Sequence, residues 1–325
     1  MQWNCINSRN QDGFTFVPAT FPFSRPDSIL IEDLQIPNLI NYINEKCIRK
    51  AYIQNMHRFD FISNCPSLEH ITVELQLPFK AYKECRTKGK TILAEYDFKP
   101  ITDLPNLKSL SIINNEREDF KAQVKFGISK IKHLQMYSGE FSYITDIKDA
   151  KSLRTLNVSH YLGTDFNMLI SLCDLDTMQF TFSKLQTLDA IENFSKLQCL
   201  YLYYNRSLKD ISALSKVKDT LKALRIENCP KIEDFSVLGE LKNLELLELV
   251  GSNKLPNLDF IRSMKNLKTF VFDMNVLDGD LTPCLNLSYV YSDRNRKHYN
   301  LKDSDLPKGE YVRGNEDIEE WRRLE

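Results

Sequence analysis

Apolar residues return along this chain as Leu-x-x-Leu-x-Leu, with polar residues between them. The clearest copies are Leu153-Arg154-Thr155-Leu156-Asn157-Val158, Leu197-Gln198-Cys199-Leu200-Tyr201-Leu202 and Leu244-Glu245-Leu246-Leu247-Glu248-Leu249. The leading positions are Leu107, Ile131, Leu153, Leu175, Leu197, Leu221, Leu244, Leu267 and Leu287, at steps of 24, 22, 22, 22, 24, 23, 23 and 20 residues. A unit this short cannot bury its apolar face alone, so successive copies must stack on a shared core. The period of two inside each copy predicts a strand with one buried face. A polar turn and a second apolar cluster follow, as in Leu208-Lys209-Asp210-Ile211-Ser212-Ala213-Leu214 and Ile232-Glu233-Asp234-Phe235-Ser236-Val237-Leu238, where Asp or Ser can cap a single helical turn. The pattern therefore predicts an α/β solenoid with one parallel strand per repeat and short helical or 3-10 turns opposite. Strands stack at about 4.8 Å and the turns need more room, so the strand side is expected to be concave.

These motifs resemble the leucine-rich repeat family in its short-period, internalin-like form. Asparagines at the ninth position of the repeat carry the likeness further: Asn115, Asn205, Asn275 and Asn295, with Cys229 in the same place. The resemblance implies that this residue bonds backbone groups of neighbouring turns as a buried ladder. Gly139, Tyr161, Ser183 and Ser252 depart from the pattern, and the ladder is expected to break there. The resemblance covers residues from about 100 to 300, describes architecture and implies no particular ligand.

Weaker copies extend toward the N-terminus. Leu68-Glu69-His70-Ile71-Thr72-Val73 fits the template, Ile48–Ile53 fits less well, and Ser28-Ile29-Leu30-Ile31 reads as the first strand. The step from Leu68 to Leu107 is 39 residues, too long for one repeat. Residues 78–100 are read as an insertion holding a strand or hairpin, or as one degenerate repeat. The expected organisation is an N-terminal cap over residues 1–27, a repeat solenoid over 28–300 and a C-terminal cap over 301–325. Gly13-Phe14-Thr15-Phe16-Val17 would close the first end, and an amphipathic turn around Trp321 the second. No boundary argues for a second domain.

Composition narrows the function classes. The 325 residues carry a formal net charge of −1, so no global field draws the chain to nucleic acid or an anionic membrane. No apolar run reaches the ~18 residues of a membrane helix, and the N-terminus lacks the form of a secretory signal. The eight cysteines are scattered without a Cys-x-x-Cys pair, which points to reduced thiols and a cytoplasmic protein and against a zinc site. There is no phosphate-binding Gly-rich loop, Gly-x-Ser-x-Gly or His-Glu-x-x-His. His70 and His133 fall on outward strand positions with one repeat between them, and no Asp or Ser is aimed at either. No catalytic residue, cofactor, metal or small-molecule substrate is expected.

The candidate surface is what lies between the leucines. If positions 1, 4 and 6 point inward, positions 3, 5 and 7 point outward across the concave sheet. Ten repeats then supply roughly 30 outward residues, about one side of a standard protein interface. Small polar residues dominate from Thr155 to Thr181, whereas tyrosines and charges dominate from residue 199 onward. Tyrosine and arginine concentrate interface energy because they bury a large area and keep a polar tip. The expected partner-binding residues are Tyr137, Tyr201, Tyr203, Arg225, Glu227, Glu248, Asp273, Tyr289 and Tyr291. The alternative is a self-satisfied surface, because Tyr201, Arg225 and Glu248 are cross-strand neighbours that could stack and pair with each other. The basic run Arg294–His298 reads as a solvated loop that could also meet an acidic group. The leading function is a non-enzymatic module that binds a protein through the concave face, as adaptor, inhibitor or immunity-type protein. The alternative is a substrate-recognition or structural subunit of a larger complex.

Overall fold

A computed structural model describes residues 3–7, 15–19, 28–31, 36–53, 59–75, 92–114, 120–125, 136–140 and 147–314. The chain divides into two compact units between Leu153 and Arg154.

In the second unit, seven strands lie parallel in one sheet: Thr155–Ser159, Thr177–Thr181, Cys199–Tyr203, Ala223–Glu227, Leu246–Val250, Thr269–Phe272 and Tyr289–Ser292. Their registers align the template position by position. Leu156, Met178, Leu200, Leu224, Leu247, Phe270 and Val290 form one row; Val158, Phe180, Leu202, Ile226, Leu249 and Phe272 form the next. All thirteen are buried. The leucine-rich-repeat solenoid, with one strand per repeat, is thus the observed architecture. The opposite side carries the expected short turns, 3-10 at Asn167–Leu169, Ile191–Asn193, Ser212–Val217, Ser236–Glu240 and Thr282–Asn286 and α-helical at Phe260–Ser263. An acidic side chain launches several of them. The carboxylates of Asp210 and Asp234 each accept the N–H two residues on, from Ser212 and Ser236, at 2.8 Å.

The first four of these strands are each followed by a left-handed residue. His160, Phe182, Tyr204 and Asn228 have φ of 51–55°, a conformation costly for anything but glycine. The turn aims each N–H at the next repeat: His160 at Thr181 C=O, Phe182 at Tyr203 C=O, Tyr204 at Glu227 C=O and Asn228 at Val250 C=O, all at 2.8–3.0 Å. The following position makes the ladder. Fully buried Asn205 accepts from Ser183 N–H at 2.8 Å and donates to Phe180 C=O at 3.0 Å. The thiol of Cys229 lies 3.6 Å from Leu202 C=O, and burial pushes its pKa up to about 12. The expected break at Ser183 does not occur, because its hydroxyl accepts from Tyr161 N–H at 3.3 Å. At Ser252 the ladder slips by one residue. Buried Asn253 takes the place, donating to Cys229 and Ile232 carbonyls at 3.1 and 2.7 Å.

The first unit repeats the plan less regularly. Ser28–Ile31, Lys50–Ile53, His70–Leu75, Ser109–Asn114 and Met136–Glu140 are successive parallel neighbours. The start is a hairpin, Trp3–Asn7 antiparallel to Thr15–Ala19, whose first strand pairs with Ser28–Ile31. A helix at Ile36–Glu45 follows and buries Leu39 and Ile43, one turn apart. The 78–100 insertion contains the strand Ile92–Asp97. It pairs in parallel with Phe120–Lys125 as a separate two-stranded sheet. The cap expected around Trp321 lies outside the described residues.

Candidate functional site

The strand face of the second unit carries the chemistry that the leucines do not. Register places position five in one line: Gln179, Tyr201, Arg225, Glu248, Val271 and Tyr291. Position seven runs beside it as Thr181, Tyr203, Glu227 and Val250. Strand periodicity sends these side chains away from the leucine core, so outward alternation holds throughout this sheet.

The neighbours interact as the self-pairing alternative anticipates. The Arg225 guanidinium stands 4.9 Å from the centre of the Tyr201 ring, and its Nε lies 3.3 Å from a Glu248 carboxylate oxygen. Tyr201 and Tyr203 rings sit 6.5 Å apart. Burial works against the Arg225 charge, but Glu248 and the surrounding tyrosines outweigh it and raise the pKa. The cation is therefore permanent at any physiological pH.

A second feature was not anticipated. The chain returns over this face after its last strand. Lys308 bridges antiparallel to Tyr289, with Val290 N–H donating to Pro307 C=O at 2.8 Å and Gly309 N–H to Ser288 C=O at 2.9 Å. From Glu310 the segment leaves regular secondary structure and crosses the sheet. The Tyr311 hydroxyl donates to Glu248 at 2.6 Å and accepts from Arg225 at 3.3 Å, while its ring packs edge-on against Tyr289 at 5.4 Å. Val312 N–H donates to the Thr269 hydroxyl at 2.9 Å. Gly314 lies against Tyr201 so closely that a Cβ would overlap its hydroxyl. Beneath this strap Cys199, Tyr201, Ala223 and Leu246 form a small apolar cluster, flanked by Tyr203 and Tyr311.

The expected residues consequently fall into different places. Tyr201 is only 1% exposed and Arg225 5%; both sit at the centre of the face, under the strap. Tyr203, Glu227, Glu248, Asp273 and Tyr289 are half-buried around it, and Tyr291 is 40% exposed at the last strand. Asp273 turns to the backbone and accepts Gly251 N–H. Lys308 Nζ stands 5.5 Å from the Tyr291 ring centre. Tyr137 belongs to the first unit, where Met136–Glu140 pairs with Ser109, Leu110 and Ser111. That register puts Tyr137 opposite Leu110, an inward position of the template, three residues out of step with a repeat led by Ile131; the side chain of Tyr137 lies outside the described residues. His70 is half-buried, its Nδ1 2.8 Å from the Ser109 hydroxyl. Among the described residues no helix is long and apolar enough to cross a membrane.

No family model and no curated protein matches this chain. Among solved structures it is similar to an internalin, inlF, from Listeria monocytogenes at 16% identity and a TM-score of 0.48, covering 88% of this chain and 72% of that one. Internalin C2 from the same organism is 22% identical with a TM-score of 0.43, over 51% and 76% of the two chains. The leucine-rich repeat domain of the type III effector XopL is 15% identical with a TM-score of 0.44, over 73% and 82%.

Proposed function

We propose that this protein is a non-enzymatic binding module that recognises another protein through the strand face of its second unit. The observation that carries the reading is the line Tyr201–Arg225–Glu248, a stacked and ion-paired row at the centre of a sheet whose rim keeps Tyr203, Glu227, Tyr289 and Tyr291 partly accessible. Tyrosine and arginine are the residues that concentrate binding energy in protein interfaces. At the accessible rim Tyr203 packs against the buried cluster and Tyr291 bonds Asp293, so little side-chain entropy is lost on contact. An adaptor, inhibitor or immunity-type role fits such a surface, and the scattered cysteines support a cytoplasmic setting.

The test is a double substitution at the accessible rim, Tyr203→Ala with Tyr291→Ala. The partner would first be identified by cross-linking and mass spectrometry in the native host. Affinity for it should fall at least tenfold with the circular-dichroism spectrum and melting temperature nearly unchanged. Equal affinity in the variant would remove the strand face as the binding surface.

A further inference from the structure

We propose that the strand face is a receptor for an extended peptide carrying Tyr-x-x-Gly, and that residues 310–314 occupy it as an internal competitor. This deepens the reading above and rests on it. Three observations specify the ligand. The Tyr311 hydroxyl is read twice, accepting from Arg225 and donating to Glu248. That pair of demands selects a phenol over a phenyl ring, because phenylalanine would leave both charged groups without it. The backbone is read once, through Val312 N–H on Thr269 Oγ1, and this contact is indifferent to the side chain between. Three residues beyond the tyrosine, only glycine fits over the Tyr201 hydroxyl.

The same geometry makes the strap a replaceable occupant. Up to Gly309 the return is tied to the last strand by main-chain hydrogen bonds. From Glu310 onward it crosses four strands outside regular secondary structure, held by the contacts just given. It is also undercut by a cleft of about 300 Å³ lined by Arg154, Asp176, Lys222, Glu245 and Arg313. The charged residues of this cleft stand beside Cys199, Ala223, Leu246 and Val312. Release of residues 310–314 would uncover Tyr201, Cys199, Ala223 and Leu246 together, a contiguous patch suited to an incoming aromatic segment. A tethered competitor acts at high effective concentration, so a free peptide must be much weaker on the intact chain than on one whose strap has been displaced.

The experiment uses the full chain and the double variant Tyr311→Ala, Gly314→Val, which removes the phenol and places a branched side chain against Tyr201. Hydrogen exchange reports whether residues 310–314 have come off the sheet. A labelled peptide of the sequence Lys308–Gly314 is then titrated into both proteins by fluorescence anisotropy, beside the same peptide with phenylalanine for tyrosine. Exchange over the strap should accelerate at least tenfold in the variant. The tyrosine peptide should bind the variant at least tenfold more tightly than the wild type, and the phenylalanine peptide at least tenfold more weakly than the tyrosine peptide. Equal affinity for both proteins, no binding to a variant with a freely exchanging strap, or an unchanged strap would each overturn the proposal. If it fails while Tyr203→Ala with Tyr291→Ala still weakens the protein partner, only the strap inference falls and the binding-module reading stands.

Discussion

Asn205→Ala isolates what the ladder contributes. The Asn205 side chain is fully buried and makes two bonds, accepting from Ser183 N–H at 2.8 Å and donating to Phe180 C=O at 3.0 Å. Alanine removes both partners' bonds, and no solvent reaches the gap. A buried polar group deprived of its partner costs about 1–3 kcal/mol. Two such groups, partly relieved by local relaxation, give a loss of roughly 3 kcal/mol. For a cooperative unit of this size that corresponds to a melting temperature lower by about 6–12 °C. Half-buried Asn228, one position earlier in the next repeat, donates to its neighbour Glu227 at 3.3 Å; its φ of 51° favours Asn over Ala, so Asn228→Ala should cost about 1 kcal/mol, well below Asn205→Ala. Asn205→Asp adds a second diagnostic. It keeps the acceptor for Ser183 but loses the donor to Phe180 and buries a carboxylate, so it should be less stable at pH 7 than at pH 4. Urea denaturation followed by far-ultraviolet circular dichroism measures the stabilities, and amide exchange at Ser183 measures the local bond. The reasoning is refuted if Asn205→Ala stays within 0.5 kcal/mol of wild type and Ser183 keeps its protection.

Two further perturbations probe the frame. Gly279 has φ of 70° and its Cβ position overlaps the His298 carbonyl, so Gly279→Ala should destabilise by about 1–3 kcal/mol in thermal melts; an unchanged melt would mean that the loop yields freely. Burial, helped by Lys50, Lys108 and Arg49 and opposed by Glu69, lowers the His70 pKa to about 4. The unfolded chain then binds this proton first, and stability present above pH 6.5 is lost as pH falls toward 4. With the ring one-third exposed, about 1–2 kcal/mol is at stake after solvent screening, and His70→Gln should flatten a pH series of urea midpoints across that window. Hydrogen bonds and charge from Arg49 and Lys108 hold the Glu69 carboxyl near 2 against the opposing effect of burial. A further loss between pH 4.5 and 2 should therefore survive in that variant and disappear in Glu69→Gln.

The repeat frame was legible because its signal is local and redundant. Leu-x-x-Leu-x-Leu states the strand, its buried face and its register within six residues, and seven copies in the second unit agree with one another. Reading failed where a single repeat had to speak alone. The repeat led by Ile131 is out by three residues, and it follows the strand Phe120–Lys125, which pairs outside the main sheet. At Ser252 one inserted position moves the ladder to Asn253. The strap was invisible for a different reason. Tyr311 meets Glu248 and Arg225 across 63 and 86 residues, and no period links a lone tyrosine after the last repeat to a strand that far back.

That long-range contact bears on both readings of the row, the self-paired surface and the proposed binding one. Pairing Arg225 with Glu248 in a half-dry setting offsets much of the cost of removing two charges from water, but that cost is recovered only when further hydrogen bonds complete the site. Stacking on Tyr201 supplies the cation with one face. The Tyr311 phenol donates to the anion and accepts from the cation, and it does so from outside the repeats. Under the proposed reading, self-pairing prepares the row to receive a ligand: it fixes the guanidinium and carboxylate in advance around one hydroxyl group. Whatever occupies that position, from this chain or another, meets a site already organised to receive it.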